Sequence, residues 1–217
     1  MKQYQREFLD FIIDRGALRF GKFTLKSGRS SPYFFNAGLF NSGSALKKLG
    51  EFYAQAIIDW DQPFDMLFGP AYKGIPLVSA TAIALTHVSG LDVPYAFNRK
   101  EVKDHGEGGA LVGAALQGRV IIIDDVISAG LSVTLSVSLI RETGAEPVAA
   151  FIALDREERA EGSSVKATQA IQDRYHIPVQ AIVTLTTMID YLQTRAEYTE
   201  YLDAVRLYQR KYGVKND

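Results

Sequence analysis

The sequence predicts an α/β protein with a central, mainly parallel sheet flanked by helices. Short β-branched runs alternate with amphipathic segments from about residue 65 onward, as in parallel βαβ units. Residues 120–123 read VIII and are apolar throughout, which is typical of a strand buried on both faces. With 217 residues, 47% of them apolar, the chain has the length and composition of one globular domain.

The first 40 residues break this alternation. Residues 4–15 have the apolar spacing of an amphipathic helix, and Gly16 follows where such a helix would end. Two β-type runs within 17–36 are separated by a polar turn segment. We therefore expect a small hood, mainly residues 1–40, inside a single domain that spans residues 1–217.

Helices and strands alternate through the rest of the chain. The apolar patterns predict helices over residues 43–59, 77–88, 132–142, 165–175, 186–194 and 197–211. They predict strands over residues 65–68, 93–97, 119–123, 147–154 and 179–185. Residues 99–109 contain three glycines and no apolar periodicity, which predicts a loop.

Composition excludes several kinds of function. Lysine and arginine number 24 against 25 acidic residues, so no overall field favours nucleic acid or an anionic membrane. The absence of cysteine excludes disulfides, thiolate metal sites and a cysteine nucleophile, and it fits a reducing cytoplasm. Asp10 and Asp14 interrupt the N-terminal apolar run, so we expect no signal peptide. We expect no membrane span, because no stretch is long and apolar enough to cross a bilayer. His87 and His176 lack metal-ligand spacing, and we assign them no role.

The segment VIIIDDVISAG, residues 120–130, carries the strongest functional signal. Asp124 and Asp125 come where the buried strand leaves the sheet, the edge at which open α/β folds bind ligands. The small-residue turn that follows can aim backbone N–H groups at an anion, and the next helix adds its dipole. Carboxylates beside an anion cradle indicate a ligand with hydroxyls and phosphate, such as a sugar phosphate. The alternative is an acid that only ends a strand or caps a helix.

Four further segments carry candidate binding residues. The loop GPAYKGIP (69–76) projects Tyr72 and Lys73, and its alternative reading is a plain strand-to-helix loop. The segment LKSGRSSPYFFNAG (25–38) places Lys26 near Phe34-Phe35, which would otherwise be hood core.

The other two segments are richer in charge. FNRKEVKDHGEGG (97–109) is basic and glycine-hinged, which fits either a surface loop or a lid. In LDREER (154–159), Arg156 directly follows a strand end, where its guanidinium could face a carboxylate. We interpret Glu157, Glu158 and Arg159 as solvated charges.

These five segments, in their order along the chain, resemble those of the bacterial orotate phosphoribosyltransferases, a group within the type I phosphoribosyltransferase family. The resemblance covers nearly the whole chain. It implies the type I phosphoribosyltransferase fold and Mg²⁺-dependent transfer of ribose 5-phosphate from 5-phosphoribosyl 1-diphosphate (PRPP) to orotate N1. The products are orotidine 5′-phosphate and diphosphate, in pyrimidine (UMP) synthesis. It also implies a homodimer whose lid loop, about 99–109, closes over the neighbour's site, with Mg²⁺ held mainly by PRPP and water.

The resemblance implies a role for each matching residue. The PRPP-binding residues would be Lys26, Tyr72, Lys73, Arg99, Lys100, Lys103, His105, Asp124, Asp125, Val126, Ile127, Ser128, Ala129, Gly130, Leu131 and Ser132. The orotate-binding residues would be Phe34, Phe35, Ser128 and Arg156. The catalytic residues would be Lys103, His105, Asp124 and Asp125. Leu131 departs from the family, where threonine is frequent, so we expect the phosphate cradle to use backbone N–H groups, Ser128 and Ser132.

Three alternatives remain at this point. A phosphoribosyltransferase for another base, such as a purine, is disfavoured by Arg156 and the Phe34-Phe35 wall. A ligand-sensing regulator that binds nucleic acid is disfavoured by the balanced charge and the lack of a basic stripe. A phosphoacceptor receiver domain would carry its acidic pair after the first strand, whereas this pair lies past mid-chain.

Overall fold

A computed structural model describes residues 1–25, 27–103, 109–127, 130–160 and 162–214, with residues 101–103 and 109 described by backbone alone. The α-helices in these ranges are α1 (Gln3–Asp14), α2 (Gly43–Trp60), α3 (Gly74–Ser89), α4 (Leu131–Glu142), α5 (Ala167–Tyr175), α6 (Leu185–Gln193) and α7 (Thr199–Tyr212). The strands are β1 (Leu18–Thr24), β2 (Ser30–Phe35), β3 (Met66–Gly69), β4 (Tyr95–Lys103), β5 (Gly109–Gly113), β6 (Arg119–Ile123), β7 (Glu146–Asp155) and β8 (Val179–Thr184).

The main sheet has six strands in the order β5-β4-β3-β6-β7-β8. Every neighbouring pair is parallel except β4 and β5, which are antiparallel. The predicted α/β class and mainly parallel sheet are therefore confirmed. Residues 120–123 of β6 are fully buried, which explains why this central strand is apolar on both faces.

The lid segment differs from the predicted loop. β4 continues through Lys103, and Lys103 pairs with Gly109 at the start of β5. A two-stranded ladder at the sheet edge is held by main-chain hydrogen bonds, so its strands need no apolar pattern. At the other end of β5, Gly113 has φ +103°, and a Cβ there would lie 2.5 Å from the carbonyl oxygen of Tyr95. Residues 104–108 lie outside the described residues.

The hood is an antiparallel hairpin of β1 and β2, and it forms a sheet separate from the main one. The C-terminal helix α7 packs on this hairpin through aromatic contacts. The Phe20 and Tyr201 rings stack with centroids 5.4 Å apart, and the Tyr33 and Tyr208 rings meet edge-on at 5.8 Å. The last helix therefore fixes the position of an N-terminal element.

Helices α2 and α3 approach each other closely on one face of the sheet. A Cβ at Gly50 would lie 2.5 Å from the carbonyl oxygen of Ala80, so glycine is required at this crossing. Tyr53 of α2 is completely buried. α3 begins three residues earlier than predicted, directly after Lys73, and accommodates Pro76 in its first turn. Among the described residues, no helix combines the length and apolar character needed to cross a bilayer.

Candidate active site

The candidate active site lies at the carboxyl ends of β3 and β6, which are adjacent parallel strands. The loop after β3 carries Lys73, and the segment after β6 carries Asp124 and Asp125. Because the two strands end at the same sheet edge, residues 52 positions apart meet: Lys73 Nζ lies 2.5 Å from Asp125 Oδ2. The lysine side chain is 59% exposed, whereas the aspartate is buried.

Asp124 is fixed on every side. Its Oδ1 accepts a hydrogen bond from the Asp125 backbone N–H at 2.9 Å, and its Oδ2 accepts one from Ser132 Oγ at 2.6 Å. Its carbonyl oxygen accepts from the Tyr53 hydroxyl at 2.7 Å. Burial raises the pKa of the Asp124 carboxyl to about 6, and the charge of Asp125 adds to the rise, while the Ser132 hydrogen bond and Lys73 oppose it.

The two acids therefore have different environments, and neither caps the helix that follows. The N-cap of α4 is Gly130, which has no side chain to cap with. Asp124 is held by hydrogen bonds, and Asp125 faces the exposed ammonium of Lys73. The alternative in which one of the acids caps the following helix therefore does not apply.

The segment after the acids leads into the N-terminus of α4. Gly130 adopts φ +70°, and a Cβ there would lie 2.6 Å from Ile171 Cδ1, so both the turn and the packing require glycine. The Val126 and Ile127 side chains pack into the apolar clusters on the two faces of the sheet, which leaves their backbone for a ligand. Ser128 and Ala129 lie outside the described residues.

The first two residues of α4 offer few free side-chain donors for a phosphate. Leu131 is 70% exposed and has no side-chain donor. The Ser132 hydroxyl donates its one proton to Asp124 Oδ2 in this structure. The role of Ser132 in phosphate binding stays a prediction. The backbone N–H groups at the helix start are the donors that remain for an anion.

The loop between β3 and α3 is compact because of two glycines. A Cβ at Gly69 would lie 2.2 Å from the carbonyl oxygen of Gly74, so a larger residue does not fit. The Ala71 N–H donates to Asn98 Oδ1 of β4 at 2.8 Å, and the Ala71–Tyr72 peptide bond is cis. Asn98 thus ties this loop to β4, a role that the sequence did not predict.

Tyr72 and residues 97–100 of β4 border an open cavity of about 450 Å³. The Lys100 ammonium lies 4.7 Å from the centroid of the exposed Tyr72 ring, within cation–π range. Arg99 and Asn98 line the same cavity. The structure therefore brings Arg99 and Lys100 together with Tyr72, the residue that precedes Lys73.

Phe34 and Phe35 end the second hood strand and take part in aromatic pairs. Phe34 stacks on Phe23 with centroids 5.6 Å apart, and Phe35 packs at 6.3 Å against Phe40. Both residues keep partial exposure. The Phe-Phe segment is therefore part of the hood and still has surface with which to contact a ligand.

Arg156 follows β7 and is held by its neighbours. Its Nε donates to Glu158 Oε1 at 2.6 Å, and its Nη2 donates to Ser31 Oγ and to the Tyr208 hydroxyl, both at 3.1 Å. Its Cζ lies 4.4 Å from the centroid of the Tyr33 ring. The guanidinium thus has fixed partners on its Nε and Nη2 side.

The interpretation of Glu157 and Glu158 as solvated charges is wrong. Their side chains are only 13% and 14% exposed. Glu157 has φ +51°, and this left-handed turn folds both carboxylates back onto the protein. Glu157 accepts from Lys166 and Thr186, and Glu158 accepts from Arg156, Arg29 and Tyr208. Arg159 is exposed, as expected.

Several predicted site residues lie outside the described residues, and their roles stay predictions. They are Lys26, His105, Ser128, Ala129 and the side chain of Lys103. His87 and His176 are exposed, the first in α3 and the second at the end of α5. Within the described ranges, no group of three or more histidine or acidic side chains is arranged to hold a metal ion.

Comparison with known proteins gives the family. A model of the phosphoribosyl transferase domain matches residues 39–183. The orotate phosphoribosyltransferase of Thioalkalivibrio sulfidiphilus is 58% identical over 214 residues, which cover 99% of this chain and 100% of that protein. The crystal structure of orotate phosphoribosyltransferase from Francisella tularensis matches with a TM-score of 0.87 and 41% identity, over 95% of this chain and 99% of that one. The chain therefore belongs to the phosphoribosyl transferase family, among its orotate phosphoribosyltransferases.

Proposed function

We propose that this protein transfers ribose 5-phosphate from PRPP to N1 of orotate, which gives orotidine 5′-phosphate and diphosphate. The observation that carries the proposal is the Lys73–Asp125 pair beside Asp124, in a chain 58% identical to a named orotate phosphoribosyltransferase. An acid pair suits ribose hydroxyls, and an adjacent exposed ammonium suits a diphosphate.

The donor would lie along the edge formed by β3 and β6. Asp124 and Asp125 would accept hydrogen bonds from the ribose hydroxyls, and backbone N–H groups at the start of α4 would bind the 5′-phosphate. Lys73 would leave Asp125 for the diphosphate, which carries more negative charge. Tyr72, Arg99, Lys100 and Lys26 would complete the diphosphate side.

The reaction breaks the bond between ribose C1 and the diphosphate oxygen, and its electron pair leaves with diphosphate. Positive charge develops on the ribose, as in glycoside cleavage, and orotate N1 forms the new bond to C1 as it loses its proton, which the departing diphosphate would accept. Lys73, Arg99, Lys100 and Lys103 would stabilise the departing negative charge. His105 would donate a hydrogen bond or a proton to the diphosphate.

The residues present fit Mg²⁺ bound through the donor. Asp124 and Asp125 already have partners, and the described residues form no cluster that would enclose an ion. When bound, Mg²⁺ neutralises diphosphate charge through phosphate and hydroxyl oxygens while it keeps several waters. The carboxylates would meet the ribose hydroxyls and so orient the sugar that carries these oxygens.

The base site would lie under the hood. Phe34 and Phe35 would form one wall, and Arg156 and Ser128 would meet the orotate carboxylate. The lid, about 99–109, would close over the site and exclude water, which otherwise hydrolyses the activated sugar. We further propose that the enzyme is a homodimer and that the lid of one subunit closes over the site of the other.

A base-panel assay tests this function. Orotate absorbance should fall only when both PRPP and Mg²⁺ are present, and adenine, hypoxanthine and uracil should give no comparable turnover. Chelation of Mg²⁺ should stop the reaction, and added Mg²⁺ should restore it. Faster turnover of a purine than of orotate would overturn the base assignment.

A further inference from the structure

Glu158 lies at the centre of a buried cluster beside the proposed base site. Its Oε1 accepts from Arg156 Nε and from the Tyr208 hydroxyl, both at 2.6 Å. Its Oε2 accepts from Arg29 Nη1 at 2.7 Å. One carboxylate thus joins the end of β7, the hood hairpin and helix α7.

The cluster fixes which hydrogens of Arg156 are available. Ser31 Oγ donates its own proton to the Tyr33 carbonyl oxygen at 2.7 Å, and the Tyr208 hydroxyl donates to Glu158. Both oxygens can therefore only accept from Arg156 Nη2. The Nε hydrogen and both Nη2 hydrogens are used, and within the described residues only the Nη1 hydrogens remain without a partner.

The cluster also has an uneven charge. Two guanidinium groups, Arg29 and Arg156, face one carboxylate, so the three side chains together are cationic. A planar carboxylate from a ligand would balance the charge. Tyr33 closes the back of the cluster, with its ring under the Arg156 guanidinium.

We propose that Glu158 is a positioning residue that holds Arg156 by its Nε edge and presents Nη1 to the carboxylate of the base. The inference rests on the proposed function, in which the base is orotate. The proposal also specifies which nitrogen contacts the base. The ligand carboxylate meets Nη1, because the Nε and Nη2 hydrogens already have protein partners.

The Michaelis constants of Glu158→Gln test the proposal. Glutamine keeps the size of the side chain but removes its charge, and one of the two acceptor oxygens becomes an NH2 group, so Arg156 and Arg29 can no longer both be held as they are by the carboxylate. We expect the KM for orotate to rise about tenfold, the effect of losing about one charge-assisted contact, while the KM for PRPP stays within about twofold. Glu157→Gln is the matched control, because Glu157 is equally buried and adjacent but its bonds go to Lys166 and Thr186. That variant should leave both constants within about twofold even if it lowers the melting temperature.

Three results decide between this inference and the proposed function. If Arg156→Gln raises the KM for orotate and Glu158→Gln does not, the positioning role is overturned and the base site stands. Equal rises in both Michaelis constants for Glu158→Gln would mean general loosening, which also overturns it. If Arg156→Gln leaves the KM for orotate unchanged in an active enzyme, the assignment of Arg156 to the base site fails as well.

Tyr208→Phe provides a second variant in case Glu158→Gln does not fold. It removes the hydroxyl that links Glu158 to Arg156 Nη2 and leaves the ring contact with Tyr33 in place. A selective rise in the KM for orotate would support the proposal. No change would count against it.

Discussion

Lys73 Nζ and Asp125 Oδ2 lie 2.5 Å apart. The side chain that is proposed to bind diphosphate and one of the side chains that are proposed to bind ribose therefore neutralise each other in this structure. The lysine side chain is 59% exposed, whereas Asp125 is buried, and a buried carboxylate left without a partner is unfavourable. Lys73 would therefore turn to a diphosphate when the ribose hydroxyls take its place at Asp125. Binding of PRPP would thus engage both side chains at once.

Substitution of Lys73 should strongly impair use of the donor. We expect Lys73→Ala to lower kcat/KM for PRPP by roughly 10²–10³-fold, because a contact to developing charge stabilises the transition state by about 2.7–4 kcal/mol. Steady-state kinetics with varied PRPP measure this. Lys47→Ala is the control, since Lys47 is exposed and pairs only loosely with Glu51 at 3.8 Å. Activity of Lys73→Ala within about fivefold of wild type would contradict the assignment.

The pH dependence of stability should reveal the burial of Asp124. Its folded pKa of about 6 exceeds the ordinary 3.8, so the folded chain holds this proton more tightly than the unfolded chain. The contribution of Asp124 to the free energy of unfolding is therefore lost as pH rises from 3.8 to about 6. At neutral pH the charged carboxylate lowers the free energy of unfolding by up to about 3 kcal/mol. Asp124→Asn should be more stable than wild type near neutral pH, with the advantage gone near pH 4.

Asp65→Asn is the opposite control for this measurement. Its hydrogen bonds with Arg119 lower the pKa of Asp65 to about 2. The stabilisation it gives is present above the ordinary pKa and lost as pH falls toward 2. Asp65→Asn should therefore be less stable than wild type at neutral pH, and the difference should shrink in acid. Denaturant midpoints across the pH range measure the stability of both variants. If both substitutions changed stability in the same direction at neutral pH, the opposite pKa shifts of Asp124 and Asp65 would be contradicted.

Leu131 offers a gain-of-binding test. It begins α4 and is 70% exposed, so Leu131→Thr leaves no cavity and adds a hydroxyl beside the proposed phosphate cradle. One added hydrogen bond is about 0.5–1.5 kcal/mol, so the KM for PRPP should fall up to about tenfold. Leu135→Thr, one turn further and also exposed, should not change it. An unchanged constant for Leu131→Thr would mean that the hydroxyl does not reach the phosphate.

Mixed dimers test the shared lid. Lys103→Ala and Asp125→Asn should each lower turnover by roughly 10²-fold or more, because each removes a transition-state contact. If the lid of one subunit serves the site of the other, mixing the two inactive proteins restores one complete site per mixed dimer. Partial recovery of activity is the expected result. No recovery, with mixed dimers demonstrated by a tag on one subunit, would place lid and site in the same subunit.

The sequence predicted the parallel strands because each is an apolar run that the sheet buries. It missed β5, whose residues read GALVG, and it assigned the polar residues 99–103 to a loop. An edge ribbon is stabilised by main-chain pairing of its two strands, and this leaves little trace in hydrophobic periodicity.

The two acids and Lys73 could be predicted from the sequence, because each lies in a short segment whose residue types indicate what it binds. Tyr53 and Asn98 could not. The Tyr53 hydroxyl meets a carbonyl 71 residues away, and Asn98 meets an N–H 27 residues away. The sequence assigns neither residue a role, since only the folded chain brings their partners near. Glu158 was misread for the same reason.

The order of the strands in the sheet determines which changes in chain length the proposed donor site can tolerate. β3 and β6 are neighbours in space, yet α3, β4 and β5 lie between them in the chain. The strands β4 and β5 are thus inserted in the chain between the two halves of the proposed donor site, which the direct pairing of β3 with β6 brings together. A change in the length of the β4–β5 connection therefore leaves the spacing between Lys73 and Asp125 unchanged. The residues of β4 that are proposed to bind the diphosphate, Arg99 and Lys100, would still have to be kept.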